Sequence, residues 1–327
     1  MEARWPDALM LTSVVFLIGG LLLLYFGGDW LVKGASALAL RAGLSPFIVG
    51  MTIVGFATSS PELAVSIDSA LSGVDDVAVG NVVGSNIANI GLVLGLSALL
   101  RPIRVEARVL RSDMPWLLLV TLFVVWCLSD GGIGRVEGVI LVLGMVLFLV
   151  QNMRVARHER ASVLEEFGRA AREQAMSRHR SWVLLAVGVA ALVGGAALFV
   201  EGAVDLALRT GLSTGLIGLT IVAVGTSLPE LATSVVASLR GEGDISAGNV
   251  IGSNFFNLLC ILGLTVLVRP LHMGDVRPVD LYVMVGITAL LLPIMFTGFR
   301  IGRREGVLLL ICYAGYLAML AGRGAAS

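Results

Sequence analysis

The sequence predicts an all-α membrane protein of ten transmembrane helices, arranged as two inverted-topology five-helix repeats with broken helices at the membrane midplane. Three observations lead to this fold class. Apolar segments long enough to cross a bilayer recur along the 327-residue chain, which is 57% hydrophobic and only 14% charged. A stretch of 71 residues recurs 168 positions later without a gap. Each copy also places a Pro-Glu pair inside an apolar helix.

Ten apolar segments are the predicted transmembrane spans. They lie near 8–40, 44–72, 76–100, 114–129, 135–156, 181–208, 213–239, 244–268, 279–298 and 305–322. The polar residues before the first segment lack the basic start and small-residue cleavage site of a secretory signal. We therefore interpret the first segment as a retained transmembrane helix.

Five helices in each half would turn the second half over in the membrane. We divide the chain into a first half at 1–156, a connecting loop at 157–180 and a second half at 181–327. Seventeen of the 23 Lys and Arg residues fall on the side opposite the termini. Because basic residues concentrate on the cytoplasmic side, we expect both termini outside and the 157–180 loop in the cytoplasm.

The repeat core spans 32–102 in the first copy and 200–270 in the second, with 37 of the 71 positions identical. GMTIVGFATSSPELAVS matches GLTIVAVGTSLPELATS, and DVAVGNVVGSNIAN matches DISAGNVIGSNFFN. Inverted repeats are typical of secondary transporters, whose binding sites lie near the bilayer midplane where the copies meet.

Glu62 and Glu230 occupy equivalent positions of the two copies, deep in apolar helices. A carboxylate at bilayer depth is costly unless it faces a pathway and has a partner, and no Lys or Arg lies nearby in either helix. A bound cation or a proton would supply that partner. The alternative for a single residue is a protonated structural glutamate, which two symmetric glutamates disfavour.

Pro61 and Pro229 immediately precede the two glutamates. Proline removes an amide donor and loosens the helix, so backbone carbonyls near Gly55 and Ala223 become available to a cation. A kink that serves only helix packing is the alternative for either proline.

Hydroxyl and amide oxygens flank both glutamates. They belong to Thr58, Ser59, Ser85 and Asn89 in the first copy and to Thr226, Ser227, Ser253 and Asn257 in the second. Such hydroxyls often bond only to their own backbone, but pooled with the carboxylates they form a hard-oxygen set that suits Ca²⁺ or Na⁺. The lack of histidine in the spans and of a thiolate cluster disfavours a soft metal. We assign packing and interhelical hydrogen bonding, rather than ligation, to Asn81, Asn86, Asn249 and Asn254.

These motifs resemble the two alpha repeats of the calcium/cation antiporter superfamily, which includes the sodium/calcium exchanger family. The length and ten-helix layout resemble its short bacterial inner-membrane calcium/sodium antiporters. The resemblance implies that Glu62 and Glu230 are the central calcium ligands, shared with sodium. It implies further ligands at Thr58, Thr226, Ser59, Ser227, Ser85, Ser253, Asn89 and Asn257, with carbonyls near Gly55 and Ala223. Some relatives carry aspartate at one position of the last asparagine pair, whereas this sequence has asparagine at both.

The expected function is alternating-access exchange of calcium for sodium across a bacterial plasma (inner) membrane, by a monomer that is not an enzyme. The first and sixth helices are the expected gate. A calcium/proton antiporter using the same carboxylates and a passive cation channel are the alternatives. We expect no cofactor beyond the transported ions. The zero net charge gives no electrostatic case for a nucleic-acid partner.

Overall fold

The computed structural model describes residues 5–166, 176–209, 223–274, 276–296 and 298–324. Its helices are α1 (Trp5–Ala42), α2 (Pro46–Thr58), α3 (Ser60–Leu71), α4 (Asp75–Leu100), α5 (Val109–Leu128), α6 (Arg135–Glu166), α7 (Arg178–Arg209), α8 (Ala223–Thr226), α9 (Leu228–Arg240), α10 (Gly243–Val268), α11 (Pro278–Phe296) and α12 (Arg303–Gly324). Four two-residue strands accompany them: β1 (Ile103–Arg104), β2 (Gly132–Ile133), β3 (Leu271–His272) and β4 (Arg300–Ile301). Single π-helical turns lie within α2, α4, α5 and α10.

Eight of the described helices are long and apolar enough to cross a membrane, and the bent pair α2–α3 makes a ninth if it counts as one span. Many apolar side chains on these helices face outward, among them Leu22, Leu147 and Ile311. The prediction of an all-helical membrane fold is therefore correct. The count of ten spans stays a prediction, because residues 213–222 of the proposed seventh span lie outside the described part of the chain.

One predicted span begins at a different residue in the structure. The span expected at 114–129 begins earlier, at Val109, through a π turn that contains Arg111 and the buried Asp113. Because Arg111 and Asp113 are charged, the hydropathy pattern of the sequence does not include this turn in an apolar segment. Within the segment 157–180, which we expect to connect the two halves, α6 continues to Glu166 and α7 begins at Arg178. Residues 167–175 lie outside the described ranges.

Helices α1 and α7 run antiparallel along a row of small residues. The row pairs Ser13 with Gly202, Gly20 with Gly195, Gly27 with Gly188, and Gly34 with Ser181. A Cβ atom added to Gly20 would lie 2.8 Å from the carbonyl oxygen of Gly195, so the two backbones are in direct contact. Small residues allow this approach between membrane helices, where water supplies no driving force for association. The two helices therefore form one closely packed pair.

Helix α10 packs against α2 with similar closeness. A Cβ atom at Gly252 would overlap the carbonyl oxygen of Met51, and one at Gly50 would lie 2.7 Å from the carbonyl oxygen of Ile245. Glycine is therefore required on both sides of this contact. It brings the serine and asparagine residues of α10 up to the end of α2.

Two short strand pairs connect distant parts of the chain. β1 pairs with β4, and β2 pairs with β3, both antiparallel. β3 lies 168 positions after β1, and β4 lies 168 positions after β2. The backbone agrees even where the residues differ: Phe299 has a positive φ of 50° at the position that matches Gly131, whose φ is 93°. The structural correspondence therefore extends beyond the repeat core read from sequence.

One charged cluster on α1 has no counterpart in the other copy. Asp29 is buried, at 7% exposure, although it lies in an apolar helix. Lys33 Nζ lies 2.7 Å from one carboxylate oxygen, and the Arg240 guanidinium at the end of α9 contacts the other. Ala197 occupies the position equivalent to Asp29. This ion pair joins α1 to the C-terminal end of α9.

Candidate cation site

The two glutamates lie where helices break. Ser59 separates α2 from α3, and Ser227 separates α8 from α9, with similar backbone angles (φ −86°, ψ 2° and φ −89°, ψ 7°). Glu62 is the third residue of α3 and Glu230 the third of α9, each after a proline that needs no amide hydrogen in the first helical turn. Exposure is 2% for Glu62 and 1% for Glu230. Each carboxylate therefore sits at the positive end of a half-helix, which favours its ionised form.

The two carboxyl groups lie within interaction distance of each other. The Ser59 hydroxyl donates a hydrogen bond of 2.9 Å to Glu230 Oε1, across the two copies. The Oε2 atoms of Glu62 and Glu230 have no hydrogen-bond partner within the described residues, and no ion pair to a basic side chain is found there. Two adjacent buried carboxylates repel each other unless a cation or a proton lies between them.

Asparagines hold the backbone of each glutamate helix. Asn81 Nδ2 lies 3.1 Å from the carbonyl oxygen of Glu62 and donates to Ser66 Oγ at 2.9 Å. The equivalent Asn249 Nδ2 lies 3.4 Å from the Glu230 carbonyl oxygen and donates to Ser234 Oγ at 2.9 Å. This is the hydrogen-bonding role expected for them from the sequence.

The same asparagines accept from threonines of the opposite copy. Thr58 Oγ1 donates to Asn249 Oδ1 at 3.1 Å, and Thr226 Oγ1 donates to Asn81 Oδ1 at 3.5 Å. Thr58 also lies 3.2 Å from the carbonyl oxygen of Val54, four residues earlier. The threonine hydroxyls therefore already have protein acceptors, and they would face a cation through their lone pairs.

Other predicted oxygen donors are buried around this centre. Asn89 Nδ2 donates to Asn254 Oδ1 at 3.3 Å, which leaves Asn89 Oδ1 without a partner among the described residues. Neither side-chain polar atom of Asn257 has one there, and the same holds for Ser227 Oγ. Unsatisfied buried polar atoms are rare in native proteins and require an explanation such as an unseen ion or water.

The remaining predicted site residues are placed less completely. Ser85 is buried on α4. Ser253 Oγ lies 3.5 Å from the carbonyl oxygen of Gly55, so this carbonyl faces the site. Ala223 begins α8, but its side chain and residues 210–222 lie outside the described part. The role of its carbonyl stays a prediction.

A cavity of about 530 Å³ lies between α7 and the proline-containing turns. Pro61, Thr226 and Pro229 line it on one side, and Glu201 and Asp205 of α7 line it on the other. Sequence reasoning did not single out these two acids. The available signal was two carboxylates four residues apart in an otherwise apolar helix, where acids normally mark a pathway.

The donor set consists of oxygen atoms. Within the described ranges, no cluster of three or more His, Cys, Asp or Glu residues could hold a metal ion. The site offers two carboxylates together with hydroxyl, amide and carbonyl oxygens. Such a set suits a hard cation such as Ca²⁺ or Na⁺.

Comparison with known families gives one match that covers most of the chain. Residues 12–153 and 180–322 match the family described as sodium/calcium exchanger protein. The two matched segments fall on either side of the connecting loop.

Curated relatives are similar over nearly their whole length. The chain is 42% identical over 318 residues to the putative antiporter CaxA of Alkalimonas amylolytica, covering 95% of this chain and 99% of that protein. It is 39% identical over 327 residues to the inner membrane protein YrbG of Escherichia coli K12, covering 95% and 97%. It is 35% identical over 346 residues to the sodium/calcium exchanger MaX1 of Methanosarcina acetivorans, covering 94% and 98%.

Solved structures show the same fold. The sodium-calcium exchanger NCX_Mj, soaked with zero Na⁺ and Ca²⁺, superposes with a TM-score of 0.82 at 33% identity, covering 95% of this chain and 99% of that one. A structure of the sodium/calcium exchanger from Methanococcus jannaschii gives 0.80 at 34% identity, covering 94% and 98%.

Proposed function

The chain belongs to the sodium/calcium exchanger protein family, and on that premise we propose that it is a secondary active antiporter that exchanges calcium for sodium by alternating access. Its membership in a family of transporters gives no reason to assign an enzymatic reaction. The proposal requires neither a resident cofactor nor a partner chain, because both central glutamates come from one chain and the transported ions are the cargo.

One observation carries this proposal: Glu62 and Glu230 are buried close together, each with an unpartnered carboxylate oxygen in the described structure. A single Ca²⁺ neutralises both charges at once, and sodium ions neutralise them in its place. Ca²⁺ accepts six to eight oxygen ligands in flexible geometry, which the surrounding oxygens can supply.

Further ligands are proposed from the family resemblance and from their burial around the glutamates. The hydroxyls are those of Thr58, Thr226, Ser59, Ser227, Ser85 and Ser253. The amide oxygens of Asn89 and Asn257 complete the centre, and the carbonyls near Gly55 and Ala223 serve outlying sodium ions. The side-chain amide oxygens of both asparagines have no hydrogen-bond partner among the residues that the structure describes, which supports their inclusion.

Two inverted halves and a binding site at the midplane are also part of the proposal. The antiparallel pairing of α1 with α7 supports it, as do the strand pairs related by a shift of 168 positions. An empty site with two bare carboxylates would be costly to reorient through a membrane. Obligatory occupation by calcium or by sodium would therefore couple the two fluxes.

For membrane placement we propose a multi-pass protein of a bacterial plasma (inner) membrane, with both termini outside and the 157–180 loop cytoplasmic. The distribution of Lys and Arg supports this orientation. A relative named as an inner membrane protein supports the location.

Gradient-driven uptake in proteoliposomes tests the function. We expect calcium to accumulate when sodium is loaded inside and diluted outside, and to stop accumulating when monensin dissipates the sodium gradient. The matched arms replace the sodium gradient by an inside-acid pH gradient at constant sodium, or by no gradient. Uptake that follows only the pH gradient would assign the protein to the calcium/proton antiporters. A calcium flux that depends on neither gradient and does not saturate with calcium concentration would assign the protein to the channels.

A further inference from the structure

Helices α3 and α9, which carry the two glutamates, are held at their C-terminal ends as well as at the site. We propose that Arg101 and Arg269 are positioning residues, each of which fixes the glutamate helix of the opposite repeat copy by binding its C-terminal end. Their proposed effect on calcium rests on the function proposed above, whereas their effect on helix α3 or α9 does not.

Arg269 follows α10 and binds the end of α3. Its Nη1 atom donates to the carbonyl oxygen of Ala70 at 3.1 Å. The guanidinium lies over Gly73, where an added Cβ atom would be 2.9 Å from Nη1 and where φ is +79°. Asp75 Oδ1 lies 3.9 Å from Nη2, so a negative charge lies beside the guanidinium at this turn.

Arg101 follows α4 and makes the equivalent contact with α9. Its Nη1 atom lies 3.5 Å from the carbonyl oxygen of Leu239. An added Cβ atom at Gly241, where φ is +85°, would lie 2.8 Å from the same nitrogen. The Ser238 hydroxyl strengthens this junction because it also approaches the carbonyl oxygen of Arg101, at 3.3 Å.

A guanidinium suits this position for a physical reason. The last carbonyls of a helix lack partners within the helix and carry partial negative charge, so a cation there satisfies and stabilises them. In both copies a left-handed glycine gives the arginine room to reach the helix end. Gly73 and Gly241 are 168 positions apart, as are Arg101 and Arg269, so the arginines and the glycines occupy equivalent positions. The accepting carbonyls belong to Ala70 and Leu239, which differ from exact equivalence by one residue.

The consequence reaches the site because each glutamate helix is short. About 10 residues, or roughly 15 Å of helix, separate Glu62 from the end held by Arg269. Asn81 holds the opposite end of α3 from its own copy. Each glutamate helix is therefore held near its glutamate by an asparagine of its own copy and at its C-terminal end by an arginine of the opposite copy.

Hydrogen exchange measured by mass spectrometry on the purified full-length protein tests whether each arginine holds the glutamate helix of the opposite copy. This test makes no assumption about ions. In Arg269→Gln we expect amides of residues 68–74 to exchange about fivefold faster, with residues 236–242 changed less than twofold. Arg101→Gln should give the reverse pattern. The proposal would be overturned by faster exchange in the glutamate helix of the copy that carries the substitution. Equal changes in both segments would also overturn it.

Calcium uptake supplies the functional measurement. In Arg269→Gln the calcium concentration for half-maximal uptake should rise about fivefold, with the maximal rate within about twofold of wild type. Arg269→Lys keeps a donor and a charge and should restore most of the affinity. Arg304→Gln, an exposed arginine at the start of α12, is the matched control. Unchanged half-maximal concentrations in both Arg269→Gln and Arg101→Gln would refute the positioning role.

Gly73→Ala keeps the proposal testable if the arginine variants fold poorly. Alanine is strained at φ +79° and displaces the guanidinium, so it should raise exchange in residues 68–74 as Arg269→Gln does. The two changes together should have little more effect than either alone, whereas fully additive effects would show that they act independently. If wild-type protein takes up no calcium, the proposed function fails, and the exchange pattern still decides the positioning role.

Discussion

Glu230→Gln should abolish sodium-dependent calcium uptake, lowering the initial rate by about 100-fold or more. Glutamine has nearly the same shape, and its Oε1 can still accept the hydrogen bond that Ser59 donates to Glu230. The variant therefore removes charge while it preserves the packing of α9. Calcium would then face a single carboxylate at the bottom of a buried site, which does not compensate for its lost water. Initial rates of radioactive calcium uptake into proteoliposomes measure the effect.

Glu62→Gln should give the same loss, because the two carboxylates act on one ion. The double variant should be no worse than either single variant. Glu305→Gln is the matched control: Glu305 accepts a hydrogen bond from the Gly302 amide at 2.9 Å, and glutamine can accept the same bond. Its uptake should stay within about twofold of wild type. Glu230→Gln with near-normal uptake would remove the central ligand from the account.

A crosslink between α1 and α9 should stop exchange without stopping calcium binding. Asp29 and Arg240 join these helices through an ion pair, so cysteines at the two positions can be bridged by a short bis-methanethiosulfonate reagent. Helices α1 and α7 are the first and sixth predicted spans, which we expect to form the gate. If this pair moves past the remaining helices, the bridge should lower uptake at least about tenfold. Equilibrium calcium binding should change by less than about twofold, because neither position contributes to the site. Reduction with dithiothreitol should restore uptake.

A second crosslink within the moving pair is the control for this prediction. Ser13 of α1 donates a hydrogen bond to Asp205 of α7, so cysteines at these positions should form a bridge inside the pair. That bridge should leave uptake within about twofold of the same variant after reduction, because α1 and α7 move together. Both experiments use a background in which Cys127, Cys260 and Cys312 are replaced by alanine. Normal exchange by the bridged α1–α9 protein would refute the gate assignment.

Local chemistry made the helix breaks predictable from sequence. Pro61 and Pro229 determine where α3 and α9 begin, and their repeat at equivalent positions identified the glutamates that follow them. The motifs on α4 and α10 identified the surrounding oxygens for the same reason. A residue type that recurs at an equivalent position in two copies carries information that a single sequence position lacks.

The contacts between the copies were not predictable in this way. The bond from Ser59 to Glu230 and the ion pair from Arg240 to Asp29 join residues more than 170 positions apart, and no local pattern reports such pairings. The seven-residue spacing of glycines in α1 was visible, but its partner row in α7 becomes evident only when the helices lie antiparallel. Asp29 has no equivalent acid in the second copy, so repeat reasoning could not find it.

Competition between calcium and sodium at equilibrium tests the central claim most directly. Purified wild-type protein would be held at one concentration of radioactive calcium while sodium replaces choline, with potassium as the parallel control. We expect sodium to displace all specifically bound calcium, with a steeper concentration dependence than the binding of a single sodium ion would give. We expect potassium to displace little. Bound calcium that does not change as sodium rises would show that the two ions do not share Glu62 and Glu230, and would contradict the account.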